Sequence, residues 1–167
     1  QHHHAHVAAC MADNDIHGHV LGLSWDGTGY GPDGSVWGGE ALVCEGAKFT
    51  RVAHLRPFQL PGGDAAIHEP RRSALGLLFE LLEEPGTEQV LCERIATRED
   101  WFSAAERKTL YNSMRRGVNA PYTSSVGRLF DVVAALCHLA SVATFEGEAA
   151  MALEYAADED ERNAYPL

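Results

Sequence analysis

HVLGLSWDGTGYGPDGSVWGGEALVC, residues 19–44, decides how the rest of the chain folds. Its opening run, residues 19–25, is short and apolar and reads as a buried strand ending at Asp26. A glycine-rich turn follows, with hairpin chemistry at Asp33 and Gly34. Residues 36–44 and 48–55 repeat the strand pattern, so the first third of the chain is a β-meander.

Outward from that meander the pattern changes to helices. Upstream, HHHAHVAACMADN (2–14) holds only residues that tolerate a helix, and Gly18 ends it. Downstream, the loop RPFQLPGGD (56–64) breaks the strand pattern. A helix is then expected over 69–84, with Pro70 in its first turn and Leu75, Leu78, Phe79 and Leu82 on one apolar stripe. A short strand is expected at 90–95. Ser103 and Glu106 form a capping box for a helix ending near Gly117. The loop VNAPYTSS leads to a third helix over 127–139, and a last one spans 148–157. Residues 1–157 show no internal repeat and no flexible linker, which favours one α/β unit; residues 158–167 are an acidic terminal segment without a core pattern.

Composition bounds the function classes. The chain has 167 residues, 46% of them hydrophobic, enough for a collapsed core. No apolar run approaches the roughly 20 residues that span a bilayer, so no membrane partner is expected and the cytoplasm is the default location. A formal charge of −11 repels polyanions and disfavours nucleic acid. Cys10, Cys44, Cys92 and Cys137 lie far apart among apolar neighbours, which reads as reduced, mostly buried thiols. Gln1 opens directly onto the histidines without an initiator methionine, and the simpler reading is a piece of a longer polypeptide.

The histidines carry the first chemical signal. His2 and His6 are four apart, so on a helix their imidazoles share a face and can bind one cation. Spacing alone fits a metal site and a solvated histidine face equally. Asp26, at the end of the strand after that helix, is a candidate third ligand; two histidines and a carboxylate suit iron(II) or zinc with open positions. An ordinary turn aspartate fits the same residue. His3 and His4 would face other directions.

The glycine-rich turn carries the second. Asp26, Gly27, Thr28 and Gly29 after a strand can bring backbone N–H groups and a hydroxyl to phosphate oxygens. Gly127, Arg128 and Asp131 open a helix behind a Ser-Ser loop, where N–H groups can meet an anion and Asp131 can accept from ribose hydroxyls. Equally, Ser124 or Ser125 caps that helix and Asp131 merely lies on its first turns. Gly62, Gly63 and Asp64 read as a second glycine turn, open to the same two interpretations.

Five segments in register, QHHHAHVAACMADN, LSWDGTGYGPDGSVWGGE, VAHLRPFQLPGGDAAIHEP, GVNAPYTSSVGRLFDVVAAL and TFEGEAAMALE, closely resemble the family of the hydrogenase maturation factor HypF over about residues 1–156. The resemblance implies the first lobe of an actin-like, sugar-kinase-like two-lobed fold, a mixed sheet with packed helices, whose second lobe would follow Leu167. It implies a carbamoyltransferase in the full-length parent that uses ATP and carbamoyl phosphate. Carbamoyl adenylate would form in another domain, and this one would pass the carbamoyl group to the C-terminal cysteine of the partner HypE, toward the cyanide ligands of nickel-iron hydrogenase. The family's metal ligands fall on His2, His6 and Asp26, for a divalent metal that is iron(II) or zinc, with magnesium as a substitute. The DGTGYG turn would line the carbamoyl and phosphate end of the adenylate, and Gly127 and Asp131 would meet its adenosine. Physically, the metal would polarise the carbamoyl carbonyl as a Lewis acid. The competing assignments are a tRNA threonylcarbamoyladenosine transferase, disfavoured by the acidic charge and the extended GYGPDGSVWGGE hairpin, and an inactive metal- or partner-binding fragment. A lobe without its mate would expose an apolar face open to self-association.

Overall fold

A computed structural model of the chain describes residues 1–81, 101–158 and 160–162. Helix α1, His2–Asp13, is capped by Gln1, whose side-chain oxygen accepts from the His4 N–H. Strands β1 (His19–Tyr30), β2 (Val36–Glu45) and β3 (Lys48–His54) form an antiparallel meander. Two short strands, β4 (Phe58–Gln59) and β5 (Tyr122–Thr123), extend it, with β5 parallel to the start of β2 at Val36 and β4 antiparallel to β5. Among the described residues the result is an open, mixed five-stranded sheet in which β2 is central.

The helices pack in two groups. Val7 and Met11 of α1 lie on Trp37, Leu42 and Cys44, closing a small core over one face of the meander. The larger core gathers around α3 (Pro70–Leu81), α4 (Ala104–Arg116) and α5 (Val126–Leu136), with the short α2 (Ala65–His68) beside them. Phe58, Leu60, Leu75, Trp101, Phe102, Leu110, Met114 and Val132 fill it. Each large side chain there contributes roughly 2–3 kcal/mol by leaving water. Helix α6, Glu148–Ala156, sets Ala149 against Ala134 and Ala140.

Local signals explain most boundaries. The Ser103–Glu106 capping box forms in both directions, and Gly117 closes α4 in the left-handed region at φ 62. Pro70 opens α3, where a missing N–H costs nothing. The stripe residues Leu75, Leu78 and Phe79 meet the main core, while Leu82, the expected helix end near Glu84, the expected strand at 90–95 and Cys92 lie outside the described residues.

Several expectations need correction. Strand β1 does not stop at Asp26: Gly29 and Tyr30 pair with Trp37 and Val36, and the turn itself is confined to residues 31–35. Nor is β1 buried on both faces. Leu21, Leu23 and Trp25 are 62%, 70% and 69% exposed, whereas Ser24 on the other face is buried beneath α1. A short apolar run cannot distinguish one covered face from two. Helix α5 starts one residue earlier than expected and ends at Leu136, because His138 turns to φ 61. Cys44 is buried, but Cys10 and Cys137 are exposed. The two loops expected to be irregular each hold one of the short strands, and neither has the length that pattern reading needs. Among the described residues, no helix is long and apolar enough to cross a membrane.

Candidate metal centre

Helix α1 lies over β1, so its first turns and the middle of the strand face each other. His2 Nε2 stands 2.8 Å from Asp26 Oδ2, and His6 Nε2 stands 3.1 Å from His2 Nε2. One ligand atom from each of His2, His6 and Asp26 lies within 4.8 Å of the others. The two histidines are exposed and the aspartate is half-buried, which leaves an open approach from solvent.

The contact pattern itself tests whether a cation fits. One proton on His2 Nε2 can be given to Asp26 or shared toward His6, but it cannot serve both well. Without that proton, its lone pair faces a carboxylate. A divalent cation accepts all three lone pairs at once, and two imidazoles with a carboxylate match iron(II) or zinc better than magnesium, which prefers oxygen.

Asp26 reaches this position through a break in the strand register. Trp25 pairs with Gly39 and Gly29 with Trp37, so Asp26, Gly27 and Thr28 lie opposite Gly38 alone. Asp26 Oδ1 accepts from the Gly27 N–H at 2.6 Å. The start of α5 plugs into this bulge: the Ser125 hydroxyl lies 2.9 Å from the Asp26 carbonyl oxygen and 2.7 Å from that of Gly27, while accepting from the Arg128 N–H at 3.1 Å. Gly127 makes the approach possible. A Cβ there would stand 2.6 Å from Gly27 Cα.

Beneath the triad lies a buried polar chain. Glu40, 3% exposed, accepts from the Gly38 N–H at 2.6 Å and from Arg51 Nη2 at 2.9 Å, with the Ser124 hydroxyl on the same oxygen as Arg51. Arg51 in turn reaches Asp33 at 3.1 Å and lies over the Trp37 ring. His3 is wholly buried between the two systems. Its Nδ1 is 3.7 Å from Glu40 Oε2, and its Nε2 is 3.2 Å from Asp26 Oδ2 but does not meet the angle of a formed hydrogen bond.

Burial, set against the pull of Glu40 and Asp26, holds the His3 imidazole below its ordinary range, so the neutral form dominates near pH 7. For Asp26, partial burial works against ionisation, yet the Gly27 N–H, His2 and His3 together hold the carboxyl below its ordinary value. It is a carboxylate ready to bind a cation.

The other expected residues are placed less simply. Thr28 donates its hydroxyl to the Gly27 carbonyl at 2.6 Å. A Cβ on Gly27 would meet only Arg128 Nη2, at 3.9 Å, so this edge of the bulge is open beside a guanidinium. Ser125 does cap α5. Asp131 is buried and paired with Arg128 at 2.9 Å, its carboxyl pushed up to about 6 by burial, against the pull of Arg128. A ribose would reach Asp131 only after that pair opens. In the other glycine turn, Gly62 and Gly63 both take positive φ and Asp64 starts α2 without a side-chain cap bond. His4 turns away to the Gly46 carbonyl and stacks on Phe49.

Sequence reasoning did not single out Ser125 as a clamp on β1, nor Glu40, Arg51 and His3 as a network. One signal was available for Glu40: a charge inside the apolar strand VWGGEALVC needs a partner, and Arg51 lies on the adjacent strand.

Comparison with known proteins agrees with this architecture. Residues 22–167 match the family model described as the carbamoyltransferase Kae1-like domain, second subdomain, a stretch that contains Asp26, Gly127 and Asp131; His2 and His6 precede it. That description counts the stretch as a second subdomain where the resemblance implied a first lobe, and the mixed α/β architecture is the same under either count. Carbamoyltransferase HypF of Synechocystis sp. is 42% identical over 163 residues, covering 92% of this chain and 21% of its own. That of Rhodobacter capsulatus is 45% identical over 158 residues, covering 92% and 20%. The crystal structure of full-length HypF in a phosphate- and nucleotide-bound form superposes with a TM-score of 0.85 at 40% identity, covering 99% of this chain and 21% of that one. The chain therefore spans about a fifth of the length of these relatives, and it belongs to the HypF carbamoyltransferase family.

Proposed function

We propose that this chain supplies the metal ligands and the carbamoyl-binding edge of a carbamoyltransferase. In the whole enzyme, carbamoyl phosphate, water and ATP would give carbamoyl adenylate with release of phosphate and pyrophosphate, and the carbamoyl group would pass to the C-terminal cysteine thiolate of HypE, expelling AMP, in nickel-iron hydrogenase maturation. The observation that carries this reading is the convergence of His2, His6 and Asp26 on one point at an open strand bulge. Those three residues would hold iron(II) or zinc, which supplies Lewis-acid polarisation of a carbonyl.

The chain's own residues do the rest. The bulge turns Asp26 toward α1, and the Ser125 clamp fixes the carbonyls of Asp26 and Gly27. Gly27 leaves room for an adenylate phosphate beside Arg128, whose guanidinium is already oriented by Asp131. A full-length relative in a phosphate- and nucleotide-bound form is in keeping with a nucleotide-linked donor.

The test is transfer to a HypE C-terminal peptide by the full-length parent carrying the Asp26→Asn change. Pyrophosphate release from ATP should persist while carbamoylation of the peptide falls by at least a hundredfold. Transfer at the wild-type rate would remove Asp26 from the centre.

A further inference from the structure

The tautomer of the buried histidine beneath the triad can be read from its neighbours. Gln1 Oε1 caps α1 by accepting from the His4 N–H at 3.0 Å, and the same amide's Nε2 faces the Tyr30 carbonyl oxygen at 3.4 Å. These two contacts fix which end of the amide is oxygen and which is nitrogen. The nitrogen end lies 3.2 Å from His3 Nδ1. An amide nitrogen only donates, so Nδ1 must accept. A neutral imidazole then carries its one proton on Nε2, the atom that stands 3.2 Å from Asp26 Oδ2.

We propose that His3 is a positioning residue for the metal carboxylate: Gln1 sets its tautomer, which puts the ring proton on Nε2, 3.2 Å from Asp26 Oδ2, to hold that carboxylate toward His2 and His6. The slot is built for this ring. His3 is wholly buried, and a Cβ on Gly29 would stand 2.4 Å from His3 Cε1, so the strand leaves out a side chain where the imidazole sits. The Nε2 is a buried nitrogen without a formed bond, and Asp26 Oδ2 is a carboxylate oxygen within 3.2 Å of it. Hydrogen bonds to metal ligands orient them and raise affinity about 10–100-fold. The inference rests on the metal reading above, but the tautomer is a property of the chain alone.

Two measurements test it. The first is a long-range 1H–15N spectrum of 15N-histidine-labelled chain at pH 8, where His3 should be the Nε2–H tautomer; an Nδ1–H tautomer would overturn the proposal. The second is cobalt(II) titration followed by calorimetry and by the cobalt absorption bands. Gln1→Glu keeps an acceptor for the His4 N–H but removes the donor to Nδ1, which reverses the tautomer preference. Added negative charge alone would tighten cation binding, whereas loss of the Nε2–H beside Asp26 should weaken it about tenfold or more and shift the cobalt bands. His3→Leu should weaken it similarly with helix content retained. Tighter binding in Gln1→Glu, or unchanged binding in both variants, overturns the positioning role. A wild-type chain that binds no cobalt(II) overturns the metal reading and this role with it, and the spectrum alone then distinguishes that failure from a wrong tautomer.

Discussion

Replacing Gly127 with alanine sets two physical effects against each other, and the geometry decides between them. In an isolated helix the change would stabilise by about 1 kcal/mol, because alanine loses less backbone entropy than glycine. Here the new Cβ would stand 2.6 Å from Gly27 Cα and 3.3 Å from Gly27 N, and both are backbone atoms that cannot swing aside. That is about 1 Å inside the separation of roughly 3.5 Å at which two carbons attract. Helix α5 must therefore lift from the bulge, and the Ser125 contacts to the Asp26 and Gly27 carbonyls stretch with it. Overpacking of this kind costs about 1–3 kcal/mol, with about 1 kcal/mol more for a weakened buried hydrogen bond. The net expectation is destabilisation by about 1–3 kcal/mol, or a Tm lowered by roughly 3–10 °C for a chain of this size. Thermal and urea unfolding followed by circular dichroism measure it. A Gly127→Ala chain as stable as wild type, or more stable, would refute the close docking of α5 on β1.

Three further outcomes follow from the same geometry. Glu40→Gln removes the charge that pairs with Arg51 in a buried site, and should lower unfolding free energy by about 3 kcal/mol in urea titration; an unchanged midpoint would contradict the network. Asp131 has a folded pKa of about 6, above its unfolded value, so its contribution is complete at pH below about 4 and is lost as pH rises through 6. In Asp131→Asn the stability profile between about pH 4 and 6 should slope downward less steeply than in wild type, and an identical slope would show that Asp131 is not the titrating group. Trp25→Lys, on the exposed face of β1, should change stability by no more than about 0.5 kcal/mol; a loss of 2 kcal/mol or more would mean that face is covered.

The histidine helix, the three long strands, the capping box and the helix opening at Pro70 were legible in the sequence because each rests on local chemistry. The shared face of His2 and His6 was legible from their helical spacing, with Asp26 a candidate third ligand, and one ligand atom of each lies within 4.8 Å of the others. What escaped is non-local. At the register break opposite Gly38 the start of α5, about a hundred residues downstream, docks through Ser125 and Gly127. No pattern within DGTGYG announces that partner, so the glycines read as a turn although two of them lie within a strand. The one-sided exposure of β1 escaped for a related reason: the position of α1 decides which face is covered, and an apolar run of seven residues is compatible with either arrangement. His3 was set aside because helical geometry turns it from the His2–His6 face. The structure shows that it reaches Asp26 from below instead.

The proposed function requires that α1 and the β1 bulge form one divalent-metal site. An anaerobic iron(II) titration of the chain by calorimetry, beside a His2→Ala, His6→Ala double variant and Asp26→Asn, tests it most directly. The geometry predicts one ion per chain, binding abolished in the double variant and weakened at least tenfold in Asp26→Asn. Iron(II) bound by the double variant with wild-type affinity would place the metal elsewhere and contradict the account.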